Sequence, residues 1–359
     1  LHQVITNRDL SFACNVIFDD FYLCSAKQNT GVYNNDSSIK IFANGYKMQL
    51  GTQEVSDTKN RGLIFSHLYG NIGRGMLDCD IFGGASASTG KTENNNYNNH
   101  NTLKSYPNTS TDITVYAGYG FHKIYGSSNE VNAHTFNNTR VLIDKKGALL
   151  FFAEEDPNGF WGDLPYDQYS GVVGGGKASP VSGKTTVEIK RLYPGALYKD
   201  EEGIIYAMRH SNLDVVGSGF TETASVGETD ITVDMGTVAI DPEYLYEYMF
   251  VYGSKAGPVT GNVNINVLQQ QMWSGMDIIG TEERETYNSN TPTGSIGGNL
   301  TISALAGTEF GEVTGAKNGT ISGNCTITLG ANTTYWSVNG AANGNRTITI
   351  PSGTVTVTS

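Results

Sequence analysis

Chemistry-bearing residues crowd into one stretch of this 359-residue chain, Glu154-Glu-Asp-Pro-Asn-Gly-Phe-Trp-Gly-Asp-Leu-Pro-Tyr-Asp-Gln-Tyr169. Five carboxylates (Glu154, Glu155, Asp156, Asp163, Asp167) and four rings (Phe160, Trp161, Tyr166, Tyr169) share its sixteen positions. Three chemistries fit that composition. Aromatic faces stack on the apolar faces of sugar rings while carboxylates accept hydrogen bonds from hydroxyl groups. Two carboxylates held about 5–10 Å apart can act as acid and base in glycoside cleavage. Clustered hard oxygens at Glu154, Glu155, Asp156 and Asp163 suit calcium, although no Asp-x-Asp-x-Asp-Gly loop accompanies them. Against all three stands a plain alternative, an acidic solvated lid whose rings cover the flank of the fold. The segment is therefore taken as a ligand-binding candidate, and no residue is given a catalytic role.

Other candidates carry less. The six histidines (His2, His67, His100, His122, His134, His210) are scattered, and none has the spacing of a zinc-binding helix. No Gly-x-Ser-x-Gly turn presents a serine nucleophile. Gly174-Gly-Gly-Lys177 lacks the Gly-Lys-Ser/Thr ending and the following helix of a phosphate loop, so it reads as a corner. Cys14, Cys24, Cys79 and Cys325 lack metal-site spacing, and no metal site is assigned. A Cys14–Cys24 disulfide and free thiols both stay open, and Cys325 reads as a small hydrophobe in a strand. Sequons at Asn35, Asn108, Asn137, Asn299, Asn318, Asn324, Asn332 and Asn345 are expected from composition alone. No cofactor is assigned; calcium is the one weighed.

The elements that would position such a segment repeat along the chain. Ile81-Phe-Gly-Gly-Ala, Ile124-Tyr-Gly-Ser-Ser, Val172-Val-Gly-Gly-Gly, Val215-Val-Gly-Ser-Gly and Val251-Tyr-Gly-Ser-Lys share an apolar pair followed by glycine. Their starts step by 43, 48, 43 and 36 residues. A second motif, polar-apolar-any-apolar, recurs in Asp112-Ile-Thr-Val, Arg140-Val-Leu-Ile, Thr186-Val-Glu-Ile, Asp230-Ile-Thr-Val, Asn264-Ile-Asn-Val and Thr326-Ile-Thr-Leu. Apolar positions alternate with period two and favour Val, Ile, Thr, Tyr and Phe, so the units are β. Glycines at their ends permit left-handed backbone at corners. A short strand cannot bury its face alone, but strands stacked about 4.8 Å apart around an axis form one inward column, with Thr, Asn, Asp and Lys facing water. The expected fold is all-β: a single-stranded parallel, right-handed β-helix or solenoid with loop insertions. Residues 1–290 form the helix with its N-terminal cap. Residues 291–359, richer in Gly, Thr and Asn, continue it or form a C-terminal β subdomain. A propeller has a similar period, but no Trp-Asp or kelch-like pattern occurs. Asn-Gly pairs at Asn44, Asn158, Asn318, Asn339 and Asn343 keep a hairpin-based sandwich open near the C-terminus. Residues 268–295 are expected to be an insertion.

Val172-Val-Gly-Gly-Gly176 followed by Val181-Ser-Gly-Lys-Thr-Thr-Val187, together with Ile41-Phe-Ala-Asn-Gly-Tyr-Lys-Met-Gln-Leu50, resembles glycine-rich parallel β-helix repeat proteins of the secreted, cell-surface (adhesin-like) type from gut bacteria. The resemblance spans most of residues 1–290. It implies a surface protein without a known activity, and it transfers no functional residue.

Composition narrows the partners. The net charge of −12 excludes a basic face for nucleic acid or anionic membrane. No run of 18 apolar residues occurs, so no transmembrane helix is expected. Glycine supplies 44 residues and only 16 % are charged, leaving Asn, Thr and Ser to carry the surface, as on extracellular β proteins. The chain opens Leu1-His-Gln and ends in mid-pattern, as a piece of a longer protein would. The expected function is a non-catalytic secreted or cell-surface module, adhesin-like or a rigid stalk, whose partner is a glycan or another host or cell-surface ligand. The alternative is a polysaccharide-processing β-helix enzyme (lyase or glycoside hydrolase) or a phage tail-spike-like protein.

Overall fold

A computed structural model describes residues 2–6, 9–25, 39–52, 62–67, 79–86, 110–116, 118–119, 121–144, 170–190, 197–199, 205–207, 213–234, 249–269, 276–282, 294–305, 309–317, 319–341, 346–349 and 355–357. The chain is a parallel β-helix. Each early coil visits three sheets in turn. The first sheet holds His2–Thr6, Asp20–Ser25, Gly62–His67 and Gly118–Tyr119. The second holds Leu10–Ser11, Ile39–Phe42, Cys79–Phe82, Phe121–Tyr125, Ser170–Val173, Leu213–Val216, Met249–Ser254, Met276–Thr281, Glu309–Ala316, Thr333–Asn339 and Val355–Val357. The third holds Val16–Phe18, Lys47–Leu50, Thr111–Val115, Thr139–Asp144, Val181–Lys190, Val226–Asp234, Val263–Gln269, Leu300–Ala304, Cys325–Leu329 and Arg346–Thr349. Pairing from coil to coil is parallel throughout. Among the described residues the single antiparallel pair is the small hairpin of Leu197–Lys199 with Ile205–Ala207. That pattern removes the sandwich and the propeller, both of which need antiparallel neighbours.

The repeat seen in the sequence is the register itself. Ile81, Ile124, Val172, Val215 and Val251 stand directly above one another, continued by Ile278 and Val313. On the third sheet Ile113, Val141, Val187, Ile231, Ile265, Ile302 and Ile327 do the same. A third inward column crosses the corner between those sheets: Thr135, Val181, Val226, Val259, Ile296 and Ile321. These residues are all buried, and nearly all join one continuous core. Residues 268–295 are therefore not one insertion, because Met276–Thr281 is a full rung. The grammar there, Ile278-Ile-Gly-Thr281, matches that of earlier rungs.

The corner glycines are required by space, not by left-handed backbone. Among the described residues positive φ is confined to Asn44, Gly45, Gly51 and Asn332. The glycine column packs backbone on backbone: a Cβ on Gly126 would lie 2.1 Å from the Gly174 carbonyl oxygen, and one on Gly280 2.3 Å from that of Gly315. Threonines from the third sheet fill the angle. Thr139 donates its hydroxyl to the Gly174 carbonyl at 2.6 Å and Thr185 donates to that of Gly217 at 2.7 Å. At the next bend asparagines play the same part. Asn138, Asn262 and Asn299 accept the backbone N–H of Lys184, Asn299 and Asn324 in the following coil at 2.8, 2.9 and 2.8 Å.

In the first coils the chain returns from the third sheet to the second through a strand of the first sheet. From Asp144 onward that return is made by residues 145–169, 191–212, 235–248, 270–275, 305–308, 330–332 and 350–354, each shorter than the one before except the last.

Candidate functional site

The sequence-chosen residues Glu154, Glu155, Asp156, Phe160, Trp161, Asp163, Tyr166, Asp167 and Tyr169 lie outside the described residues. Their segment connects Asp144 of the third sheet to Ser170 of the second. Cys14, Cys79 and Cys325 are free thiols, the first exposed and the others buried. No group of three or more His, Cys, Asp or Glu among the described residues is arranged to hold a metal ion.

The structure draws attention instead to the outer face of the second sheet. Water was expected there, and the face is buried. The reason is in the apolar pair itself: its first residue points inward and its second outward. Phe42, Phe82, Tyr125, Val173, Val216, Tyr252 and Ile279 form a second cluster separate from the core. A strand apolar on both sides is the signature of a parallel sheet covered on both faces. Phe42 stacks on Phe82 at 5.0 Å and Phe82 on Tyr125 at 4.7 Å between ring centroids, so the rings follow the coil spacing. Phe220, from the corner after Val216 two coils on, meets Tyr125 edge-on at 6.0 Å.

Buried charged residues lie beside this stripe, two positions before it in the coils of Phe82, Tyr125 and Val216. Asp80, Lys123 and Asp214 are at most 5 % exposed, and Lys255 from the next corner is 8 % exposed. Burying a charge costs several kcal/mol unless a partner offsets it. Lys255 Nζ forms an ion pair with Asp214 Oδ2 and stands 4.3 Å from the centroid of the Tyr252 ring. The Lys123 ammonium stands 5.2 Å from the Phe220 ring, in reach of cation–π attraction. Its pKa is lowered to about 8 by burial, with Asp80 and Asp214 pulling the other way. Gly171 lies between them: a Cβ there would touch the Asp214 carbonyl oxygen at 3.3 Å, Asp214 Cβ at 3.6 Å and Lys123 Cγ at 3.8 Å.

The cluster continues along the axis. Glu282 is held above the usual carboxylate range by burial, against the charges of Lys317 and Lys255 and a hydrogen bond with the Tyr252 side chain. The Tyr252 hydroxyl is pushed well above 10 by burial and by the charge of Asp214. Lys317 reaches Glu282 at 3.7 Å and Glu312 at 3.2 Å. Burial would lower the Lys317 ammonium, but its bond to Glu312 and the charges around it outweigh that and raise it.

Sequence reasoning passed over these residues. The signal was present as a lone charge directly before the apolar pair, in Asp80-Ile-Phe, Lys123-Ile-Tyr and Asp214-Val-Val. On an alternating strand such a charge is ordinarily solvent-facing, so nothing marked it as buried.

A second feature lies in the open. His134 and Phe136 flank the inward Thr135 and stack at 4.3 Å with an interplanar angle of 23°. Phe136 is 57 % exposed. His134 pairs through Nε2 with the Ser182 hydroxyl at 2.8 Å, and partial burial lowers its pKa from 6.5, so the ring is neutral near pH 7. An exposed flat ring pair beside a hydroxyl is chemistry that suits a sugar face.

No protein-family model, curated protein or solved structure matches the chain.

Proposed function

We propose that this chain is a non-catalytic extracellular module, an adhesin-like or rigid-stalk segment of a secreted or cell-surface protein that presents carbohydrate-binding residues at its corners. The observation that carries the reading is the unbroken parallel register from Leu10–Ser11 to Val355–Val357. Eleven second-sheet strands at coil spacing make a rod roughly 50 Å long. A rod whose stability comes from neighbour contacts accepts insertions at its corners without loss of the core. On the outer face of the third sheet, ion-paired Asp112, Arg140 and Glu188 give way along the axis to Asn264, Asn266, Thr301, Ser303, Thr326 and Thr328, a neutral polar flank in the later coils. Two places suit a glycan, the His134–Phe136 pair and the aromatic and acidic segment 154–169. The reading takes no cofactor.

A glycan array probed with the wild type, a Phe136→Ala variant and a Trp161→Ala, Asp163→Ala variant tests it. Binding that is lost in either variant, with the glycan recovered intact, supports the module. Release of shortened glycan by the wild type would replace it with the polysaccharide-processing enzyme. Absence of binding across the array would leave the stalk role and remove the adhesive one.

A further inference from the structure

We propose that Lys255 and Asp214 form an intramolecular isopeptide bond, a covalent cross-link between two consecutive coils of the helix. The inference is independent of the glycan reading. Asp214 lies on the Leu213–Val216 rung and pairs in register with Phe250 of the next rung. Lys255 follows at the end of that next rung, at the corner after Met249–Ser254. Its side chain returns across one coil and places Nζ in direct contact with Asp214 Oδ2. Both residues are nearly inaccessible to water. The second carboxylate oxygen, Oδ1, is buried and has no hydrogen-bond partner among the described residues.

Those features favour condensation over a lasting ion pair. Two opposite charges buried together each forfeit their hydration. An amide replaces them with one N–H and one carbonyl, which cost much less to bury. The balance is simple. A proton passes within the pair from the ammonium to the carboxylate, leaving an amine and a carboxylic acid. The Nζ lone pair adds to Cγ of Asp214, the C–O bond to one carboxyl oxygen breaks, and that oxygen leaves with two protons as water. No oxidant, reductant or co-reactant enters.

The surroundings supply the rest. The Tyr252 ring covers Nζ and keeps solvent away. Glu282 is joined to the coil of Lys255 through its own N–H, which donates to the Ser254 carbonyl at 3.3 Å. Its carboxyl is near enough for the charges of Lys255 and Asp214 to act on it, and burial keeps it protonated to higher pH than an ordinary glutamate. Held in that coil and hydrogen-bonded to the Tyr252 side chain, whose ring lies against Nζ, it is the proton carrier of the proposed condensation. A Lys–Asp pair on the outer face of the third sheet, Lys184 with Asp230, makes an internal control. Its side chains are 40 % and 30 % exposed, so water stabilises the separate charges and no condensation is expected there.

Intact-mass spectrometry of the purified full chain decides the matter, followed by protease digestion and peptide sequencing. The expected result is a wild-type mass short by one water, with a branched peptide joining the strands of Asp214 and Lys255. Lys255→Arg and Asp214→Ala should each restore the full mass. Lys255→Arg keeps the positive charge and the fold, as checked by circular dichroism, but its guanidinium does not acylate. Glu282→Gln should slow the loss of water, and Glu282→Asp should recover part of the rate. A wild-type chain of full mass after prolonged incubation would overturn the proposal. So would a water loss that persists in Lys255→Arg, which would point to cyclisation of an aspartate on its own backbone.

Discussion

Lys123 shows what burial on the outer face does to a single residue. The side chain is 2 % exposed, and its pKa falls from 10.5 to about 8, chiefly through lost hydration. In the folded chain the amine is neutral above pH 8, while in the unfolded chain it keeps its proton to about 10.5. The unfolded chain therefore binds more protons between those values, and stability rises with pH across that window. The full gain is on the order of 3 kcal/mol. Tyr125 and Tyr252, raised well above 10, act the opposite way only where unfolded tyrosines ionise, above about pH 10. Urea unfolding at about pH 7 and about pH 9.5 should show the wild type gaining stability on the alkaline side, and Lys123→Met should flatten the difference. Equal pH dependence in both proteins would remove Lys123 as the cause. A glycine tests the second residue-scale claim. In Gly126→Ala the new methyl meets the Gly174 carbonyl at 2.1 Å, a backbone atom that cannot turn away. A loss of about 3 kcal/mol is expected, at the upper end for overpacking. Gly340→Ala meets only the Arg346 side chain at 3.0 Å, which can swing aside, so its urea midpoint should hardly move.

At the scale of the element, the corner is the unit that makes one rung like the next. Thr185 donates to the Gly217 carbonyl and pairs with the Thr229 hydroxyl at 2.8 Å. Thr185→Val keeps the shape but leaves that carbonyl short of a donor, at a cost of about 1–2 kcal/mol in the denaturation midpoint. An unchanged midpoint would mean that the hydroxyl ladder adds nothing beyond its volume. Val263 and Leu300 occupy the same column further on, so an apolar side chain fits the position and the test isolates the hydrogen bond. The strands were legible because register and repeat are one thing here: aligning Ile81, Ile124, Val172, Val215 and Val251 by eye reproduces the ladder. Met276–Thr281 escaped because it lies between a glutamine-rich and a glutamate-rich stretch that drew the eye to an insertion. The burial of Asp80 and Lys123 escaped for a different reason. Alternation tells which side of a strand a residue takes, and it is silent on whether that side is later covered. The sequons at Asn299 and Asn324 had a structural use that composition did not reveal: Asn299 accepts the next coil's N–H, and the Asn324 N–H is the one it receives.

At the scale of the molecule, each strand pairs only with those of the coils before and after it, so stability should spread over short distances along the axis. A compact globule loses its whole core together, whereas a solenoid damaged in one coil need not. Ile265 is fully buried, between Ile231 and Ile302 in the third-sheet column. Ile265→Ala should cost about 2–5 kcal/mol at its site. Hydrogen exchange resolved by peptide should then show lost protection in Val226–Asp234, Val263–Gln269 and Leu300–Ala304. Protection at Ile39–Phe42 and Cys79–Phe82, several coils away, should stay as it was. A uniform loss along the chain would mean that the coils unfold as one cooperative body, and the outer apolar stripe from Phe42 to Ile279 would be the feature that ties them. In that case Val216→Ala, on the stripe between the damaged coil and those two segments, should restore their protection when combined with Ile265→Ala, because it interrupts the outer stack between them.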